Sequence, residues 1–94
     1  MIISFGSKDT ENIWQGNRVK KIPMEIQKMG HRKLRMLNNS QNIADLRIHS
    51  SNRLERLKGI TKDYYNIQIN DQWRILFKWQ NDHAHEVEII DYHK

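Results

Sequence analysis

The hydrophobic residues of this chain change their spacing partway along, and no other feature limits the possible folds as strongly. Pro23 suits the first turn of a helix, and beyond it Ile26, Met29 and Leu37 fall on one side of a helical repeat. Gly30 weakens such a helix by about 1 kcal/mol relative to Ala. The first part of the chain therefore predicts an amphipathic helix that ends near residues 38–40.

Beyond Gly59 the apolar residues recur at every second position instead. Tyr65, Ile67 and Ile69 alternate with polar residues, which is typical of a half-buried strand. Two more alternating stretches follow, separated by short polar turns. The predicted strands cover residues 65–69, 73–79 and 85–92. Helices followed by an antiparallel meander predict an α+β domain, with helices packed on one small sheet.

Shorter elements are predicted elsewhere in the chain. Residues 2–5 suggest a first strand closed by Gly6, and residues 9–15 suggest a short helix. Asn42 is expected to cap a single helical turn, and residues 47–52 are expected to form an exposed loop.

The length and composition exclude several classes of protein. Ninety-four residues provide one small core, so we expect a single domain over residues 1–94. The chain has no cysteine, which excludes disulfides and thiolate metal sites. No apolar run is as long as a membrane span or a signal-peptide core. We therefore expect a cytoplasmic protein without a membrane partner.

The charge is strongly positive and unevenly distributed. Sixteen Lys and Arg against eleven Asp and Glu give a formal charge of +5, and most of the cations lie between residues 18 and 62. A basic surface favours a polyanion, with nucleic acid as the expected partner. The alternative is a solvated surface that serves only solubility.

The last two predicted strands bring chemically active side chains together. In an antiparallel hairpin the start of the first strand lies beside the end of the second, so Arg74 is expected near Asp91, Tyr92 and His93. The structural alternative is a cross-strand ion pair of Arg74 with Asp91 or Glu88.

One face of this sheet is expected to be basic. If the aromatic residues of the strand pack against the helices, Arg74 and Lys78 point to the opposite, open face, with Arg56 and Lys58 nearby.

Histidine has an ordinary pKa near neutrality, which makes His93 the natural candidate for proton transfer, with Asp91 and Tyr92 beside it. The alternatives are an exposed side chain and a metal site of His83, His85 and His93 with a carboxylate.

Several motifs, taken in order, resemble the HigB toxins of the RelE/ParE toxin–antitoxin superfamily. They are Asn52-Arg53-Leu54-Glu55-Arg56-Leu57-Lys58-Gly59, Tyr64-Tyr65, Asn70-Asp71-Gln72-Trp73-Arg74-Ile75 and Asp91-Tyr92-His93. The resemblance extends over nearly the whole chain. It implies a RelE-like, microbial ribonuclease-like fold and a bacterial toxin that cuts messenger RNA in the ribosomal A site. In that reaction, which requires no metal or other cofactor, the ribose 2′-OH attacks the adjacent phosphate.

The resemblance also implies roles for particular residues. His93 and Asp91 would transfer protons, Arg74 and Lys58 would hold the phosphate, and Tyr92 would position the nucleotide. Glu55 is a departure, because many relatives have a histidine three residues before the loop lysine. The residues expected to bind RNA around this site are Arg53, Arg56, Trp73 and Lys78.

The resemblance further implies a partner, a HigA-type helix-turn-helix antitoxin through which the toxin would reach operator DNA. The ribosome and messenger RNA are the other expected partners. Two alternative functions remain open from the sequence: a ParE-like poison of DNA gyrase, and a basic RNA- or ribosome-binding module without catalysis.

Overall fold

The computed structural model describes residues 1–57 and 63–92, and this part of the chain contains two α-helices, two short 3₁₀ helices and a four-stranded antiparallel sheet. The helices are α1 (Lys8–Trp14) and α2 (Met24–Asn39), and the 3₁₀ helices span Ile43–Arg47 and Ser50–Asn52. The strands are β1 (Glu55–Arg56), β2 (Tyr64–Gln68), β3 (Trp73–Gln80) and β4 (His83–Asp91), and they lie in that order across the sheet. The predicted α+β class is confirmed.

Helix α1 begins one residue earlier than predicted because Ser7 caps it. The Ser7 hydroxyl accepts a hydrogen bond from the Thr10 backbone N–H at 3.2 Å, which satisfies a free donor of the first turn. Thr10 is fully buried, and its own hydroxyl accepts a hydrogen bond from the Ile89 backbone N–H at 2.9 Å. Through this contact α1 is joined to β4.

Helix α2 packs its apolar side onto the sheet and passes very close to it at Gly30. Leu34 and Leu37 are fully buried there. A Cβ atom on Gly30 would lie 3.1 Å from Ile89 Cδ1 and 3.4 Å from Ile69 Cδ1. The short distance between helix and sheet explains a glycine in mid-helix despite its low helix propensity.

Strand β3 divides its residues between two faces, as the alternation predicts. Ile75 and Phe77 are fully buried against the helices, whereas Arg74 and Leu76 lie on the opposite face. We call this opposite side the open face.

Strands β3 and β4 are joined by a tight hairpin and contain one bulge. Gln80 pairs with His83, and the two turn residues Asn81 and Asp82 have φ values of 51° and 61°. Positive φ at both positions is what a type I′ turn requires. The register then shifts opposite Phe77, where Glu86 has φ 52°.

The first strand predicted over residues 2–5 is wrong in extent. This segment forms only two isolated parallel bridges along the outer edge of β4, Ile2 with Ala84 and Phe5 with Val87. Backbone hydrogen bonds support them, including one from Ile3 N–H to the Ala84 carbonyl at 2.8 Å.

The segment between α2 and the sheet is partly as predicted. Asn42 caps the first 3₁₀ helix, and Asp45 completes a capping box with it. The prediction of an exposed loop over residues 47–52 is wrong at its end, because Ser50–Asn52 forms a 3₁₀ helix and Asn52 is fully buried. No helix within residues 1–57 and 63–92 is long and apolar enough to cross a membrane.

Candidate functional site

Arg74 is the central side chain of the open face. Its Nη1 atom donates a hydrogen bond to Asn66 Oδ1 at 2.7 Å and lies 3.6 Å from Glu55 Oε1. The guanidinium carbon is 4.6 Å from the centre of the Tyr92 ring, which is a cation–π contact. Only 14% of the Arg74 side chain is exposed, so these three neighbours fix the position of its charge.

The register of the sheet brings these residues together. Glu55 pairs with Asn66 between β1 and β2, and Asn66 pairs with Leu76, two residues along β3 from Arg74. Asn66 is 1% exposed, and its Nδ2 atom also lies 3.4 Å from Glu55 Oε1. A buried carboxamide that contacts both the cation and the carboxylate holds the two at a defined separation.

The cross-strand ion pair of Arg74 with Asp91 or Glu88 is not formed. Asp91 pairs with Trp73, so its side chain belongs to the helix-facing side of the sheet, and its Oδ2 atom accepts a hydrogen bond from Gln72 Nε2 at 3.1 Å. The expected closeness of Arg74 to Tyr92 is observed, because Tyr92 follows one residue later and faces the opposite way from Asp91.

These residues line a cleft of about 540 Å³, a volume within the range of ligand-binding sites. We call it the Arg74 cleft. Its lining residues are Arg53, Glu55, Gln68, Asp71, Gln72, Arg74 and Tyr92.

Arg53 lines the cleft from a segment that the hydrogen bonds of the buried Asn52 hold in place. Its φ of 43° is left-handed, which is uncommon for a residue other than glycine. The preceding Asn52 donates from Nδ2 to the Leu46 carbonyl at 3.0 Å and accepts from Lys33 Nζ at 2.5 Å. Partial burial lowers the pKa of Lys33 below its ordinary value of 10.5.

The remaining predicted site residues lie outside this cleft or outside the described chain. Trp73 packs against the core on the helix-facing side, and Lys78 lies on the open face opposite Tyr64 and His85. Arg56 is exposed on β1. Lys58 and His93 lie outside the described residues.

Four residues of the site were missed in the sequence: Asn66, Gln68, Asp71 and Gln72. A signal existed for Asp71 and Gln72, because the turn that contains them joins β2 to the start of β3, where Arg74 lies. Asn66 and Gln68 alternate with apolar residues as any solvent-facing strand residues do, so nothing in the sequence distinguished them.

The metal reading of the histidines receives no support from the part of the chain that the structure describes. Strand β4 begins at His83, so His83 and His85 share a face, but no group of three potential ligands occurs among residues 1–57 and 63–92.

The Arg74 cleft combines the groups that bind a nucleotide. Arg74 and Arg53 provide cations for phosphate oxygens, Tyr92 provides an aromatic face, and Glu55 is a carboxylate beside the cation. Glu55 is also accessible, since 53% of its side chain is exposed. The cleft thus places a cation, a carboxylate and an aromatic ring side by side.

The fold is that of bacterial toxins solved with their antitoxins. Two structures of the YoeB–YefM complex from Staphylococcus aureus superpose with a TM-score of 0.59 at 18% identity, covering 100% of this chain and 99% of theirs.

The sequence then identifies the family. A family model described as the RelE-like toxin of the type II toxin–antitoxin system HigB matches residues 3–93. Toxin HigB-1 from Vibrio cholerae is 36% identical over 80 residues, which is 84% of each chain. An uncharacterized protein from Haemophilus influenzae is 36% identical over 72 residues, 77% of this chain and 71% of its own. The chain belongs to the HigB-like family of RelE-like toxins, the toxins of type II toxin–antitoxin systems.

Proposed function

We propose that this toxin cleaves messenger RNA on the translating ribosome, in the bacterial cytoplasm, and that the Arg74 cleft holds the scissile phosphate. The observation that carries the proposal is the preorganised Arg74 side chain, which is mostly buried, bonded to Asn66 and open to the cleft beside Glu55. A cation fixed before substrate binds stabilises developing negative charge without further reorganisation.

Besides that cation, the reaction needs a base and an acid around the phosphate. A base removes the proton of the ribose 2′-OH, the oxygen attacks the adjacent phosphorus, and an acid protonates the departing 5′ oxygen. The products are a 2′,3′-cyclic phosphate and a 5′-OH.

We assign the base to Glu55, because its carboxylate lines the cleft next to Arg74, whereas Asp91 pairs with Trp73 and does not line the cleft. Tyr92 positions the nucleotide by stacking. The roles of His93 as the acid and Lys58 as a second phosphate cation rest on the family resemblance alone.

The family also supports the partners. Type II toxins are neutralised by a protein antitoxin, and the solved relatives are YoeB–YefM complexes. We propose a HigA-type helix-turn-helix antitoxin, through which the toxin would reach operator DNA.

The test uses a translating extract in which transcript ends are mapped. Wild type should cut messenger RNA, and Arg74→Ala should cut about 10²–10³-fold more slowly because it lacks the phosphate cation. Arg35→Ala is the matched control, since Arg35 is an exposed arginine of α2, on the helix side of the sheet. It should cut like wild type.

Two further variants separate chemistry from folding. Glu55→Gln keeps the shape of the side chain and should slow cleavage about 10²–10⁴-fold while removing one limb of the pH–rate profile. Arg74→Lys should recover part of the rate because it restores charge. Intact transcripts with wild type, together with inhibited DNA supercoiling, would favour the gyrase alternative. Cleavage undiminished in Arg74→Ala would exclude the assigned site.

A further inference from the structure

A second, smaller cleft adjoins the Arg74 cleft and has a different chemical character. Its volume is about 200 Å³, and its lining residues are Arg47, His49, Ser50, Arg53 and Leu54. None of the five is acidic, and three carry nitrogen donors that suit an anion. Arg53 lines both clefts, so the two meet at this side chain.

No carboxylate in the described part of the chain forms an ion pair with the cations of this cleft. Among residues 1–57 and 63–92, the ion pairs are Lys8 with Glu11 and Arg74 with Glu55. Of the two acids nearest along the chain, Asp45 turns its carboxylate to the backbone N–H groups of Gln41 and Asn42, and Glu55 pairs with Arg74. Arg47 and Arg53 are therefore free to bind an external anion.

Hydrogen bonds hold the backbone beneath the cleft in place. Asn52, the last residue of the second 3₁₀ helix and the one before Arg53, is fully buried and bonded to both Leu46 and Lys33. Because a hydrogen bond joins this segment to Lys33 of α2, the backbone of Arg53 has a defined position, with φ 43°.

We propose that Arg47, His49 and Arg53 form a second phosphate site, which binds the phosphate of a nucleotide adjacent to the one in the Arg74 cleft. The site rests on the proposed function, because it takes the same single-stranded RNA. Arg53 contacts both phosphates, whereas Arg47 and His49 contact only the second. The site adds a contact to the RNA backbone and confers no base specificity, since phosphates carry no sequence information.

The experiment is a thermodynamic cycle on purified toxin. The probe is a short single-stranded RNA whose ribose at the cleavage position is 2′-deoxy, so that it cannot be cut. One linkage at a time is replaced by an uncharged methylphosphonate, and affinity is measured by fluorescence anisotropy. Arg47→Ala is compared with Arg35→Ala, an exposed arginine on α2.

Wild type and Arg35→Ala should lose affinity about tenfold when one linkage next to the scissile one is neutralised. Arg47→Ala should bind the unmodified RNA about tenfold more weakly and lose only about twofold to threefold at that linkage, because Arg53 and His49 still contact the phosphate. Its slope of log affinity against log salt should be shallower by about 0.7, the value for one phosphate contact on a single strand. Arg47→Lys should restore part of the slope.

Equal losses in Arg47→Ala and wild type at every linkage would overturn the proposal. Unchanged RNA affinity in Arg47→Ala with weakened antitoxin binding would overturn it too, and would assign the surface to the antitoxin. Cleavage by wild type in the translating extract separates the two proposals. If wild type cuts messenger RNA but Arg47→Ala does not change the affinity lost at the neutralised linkage, only the second phosphate site is refuted. If Arg47→Ala does change the affinity lost at that linkage but wild type leaves messenger RNA intact, only the nuclease proposal is refuted.

Discussion

The contacts of buried Asn52 with Leu46 and Lys33 should together be one of the larger contributions to stability outside the apolar core. We consider Asn52→Leu, which keeps a similar volume but removes the carboxamide. The buried Leu46 carbonyl then loses its donor, and Lys33 Nζ loses its 2.5 Å acceptor and keeps only Ser51 Oγ at 3.4 Å.

The size of the effect follows from the burial of each group. An unsatisfied buried carbonyl costs about 1–3 kcal/mol, and the lost bond to the half-buried lysine adds about 1 kcal/mol. We expect the free energy of unfolding to fall by about 2–4 kcal/mol. For a domain of this size the midpoint of thermal unfolding should fall by at least about 10 °C.

Chemical denaturation of a double-mutant cycle tests the reasoning. Lys33→Met combined with Asn52→Leu should be less destabilised than the sum of the single variants, by about 1 kcal/mol, because removing both partners leaves no orphaned ammonium group. Asn39→Leu, at the exposed end of α2, is the control and should change stability by no more than about 0.5 kcal/mol. Additive single effects, or a loss below about 1 kcal/mol for Asn52→Leu, would refute the reasoning.

Two further predictions concern polar contacts made by β4. The Glu86 carboxylate, which accepts the Tyr64 hydroxyl at 2.9 Å, raises the pKa of Tyr64 above its ordinary 10.0, with burial adding to the shift. This contact therefore adds stability below pH 10 that is lost as the pH rises through the folded-state pKa of Tyr64. Glu86→Gln should return that pKa toward 10.0 in an absorbance titration of tyrosinate, with Tyr64→Phe identifying the signal; an unchanged titration would contradict the contact. Thr10→Val should lower the free energy of unfolding in urea by about 1–3 kcal/mol because the Ile89 N–H loses its buried acceptor, whereas Thr10→Ser should restore most of it. Equal losses in both Thr10 variants would assign the effect to packing.

The sequence was most informative where one local pattern decides the structure. Helix α2, strand β3 and the capping turn at Asn42 each follow from spacing or from one side chain, and each was predicted from the sequence. Strand β1 was not, because two residues are too short to show any period. The bulge at Glu86 was not, because it exists only in the pairing of β4 with β3.

The site could be predicted only in part, because some of its contacts follow from chain connectivity and others depend on how the strands pair. Chain connectivity alone placed Arg74 beside the end of β4, and Tyr92 lies there. The pairing of Arg74 with Glu55 depends on β1 adding to β2, so no spacing along the sequence indicated it. Buried Asn66, which contacts both, looked like any polar residue of a half-exposed strand.

The parallel bridges between residues 2–5 and β4 bear on how the chain folds. Ile2 contacts Ala84 and Phe5 contacts Val87, so two segments about eighty residues apart pair with each other. Contacts so distant in sequence form slowly, because a long loop must close first. The outer edge of β4 stays uncovered until then, and an uncovered strand edge can pair with another chain. While it folds, this toxin should thus be prone to aggregation until residues 2–5 have paired with β4.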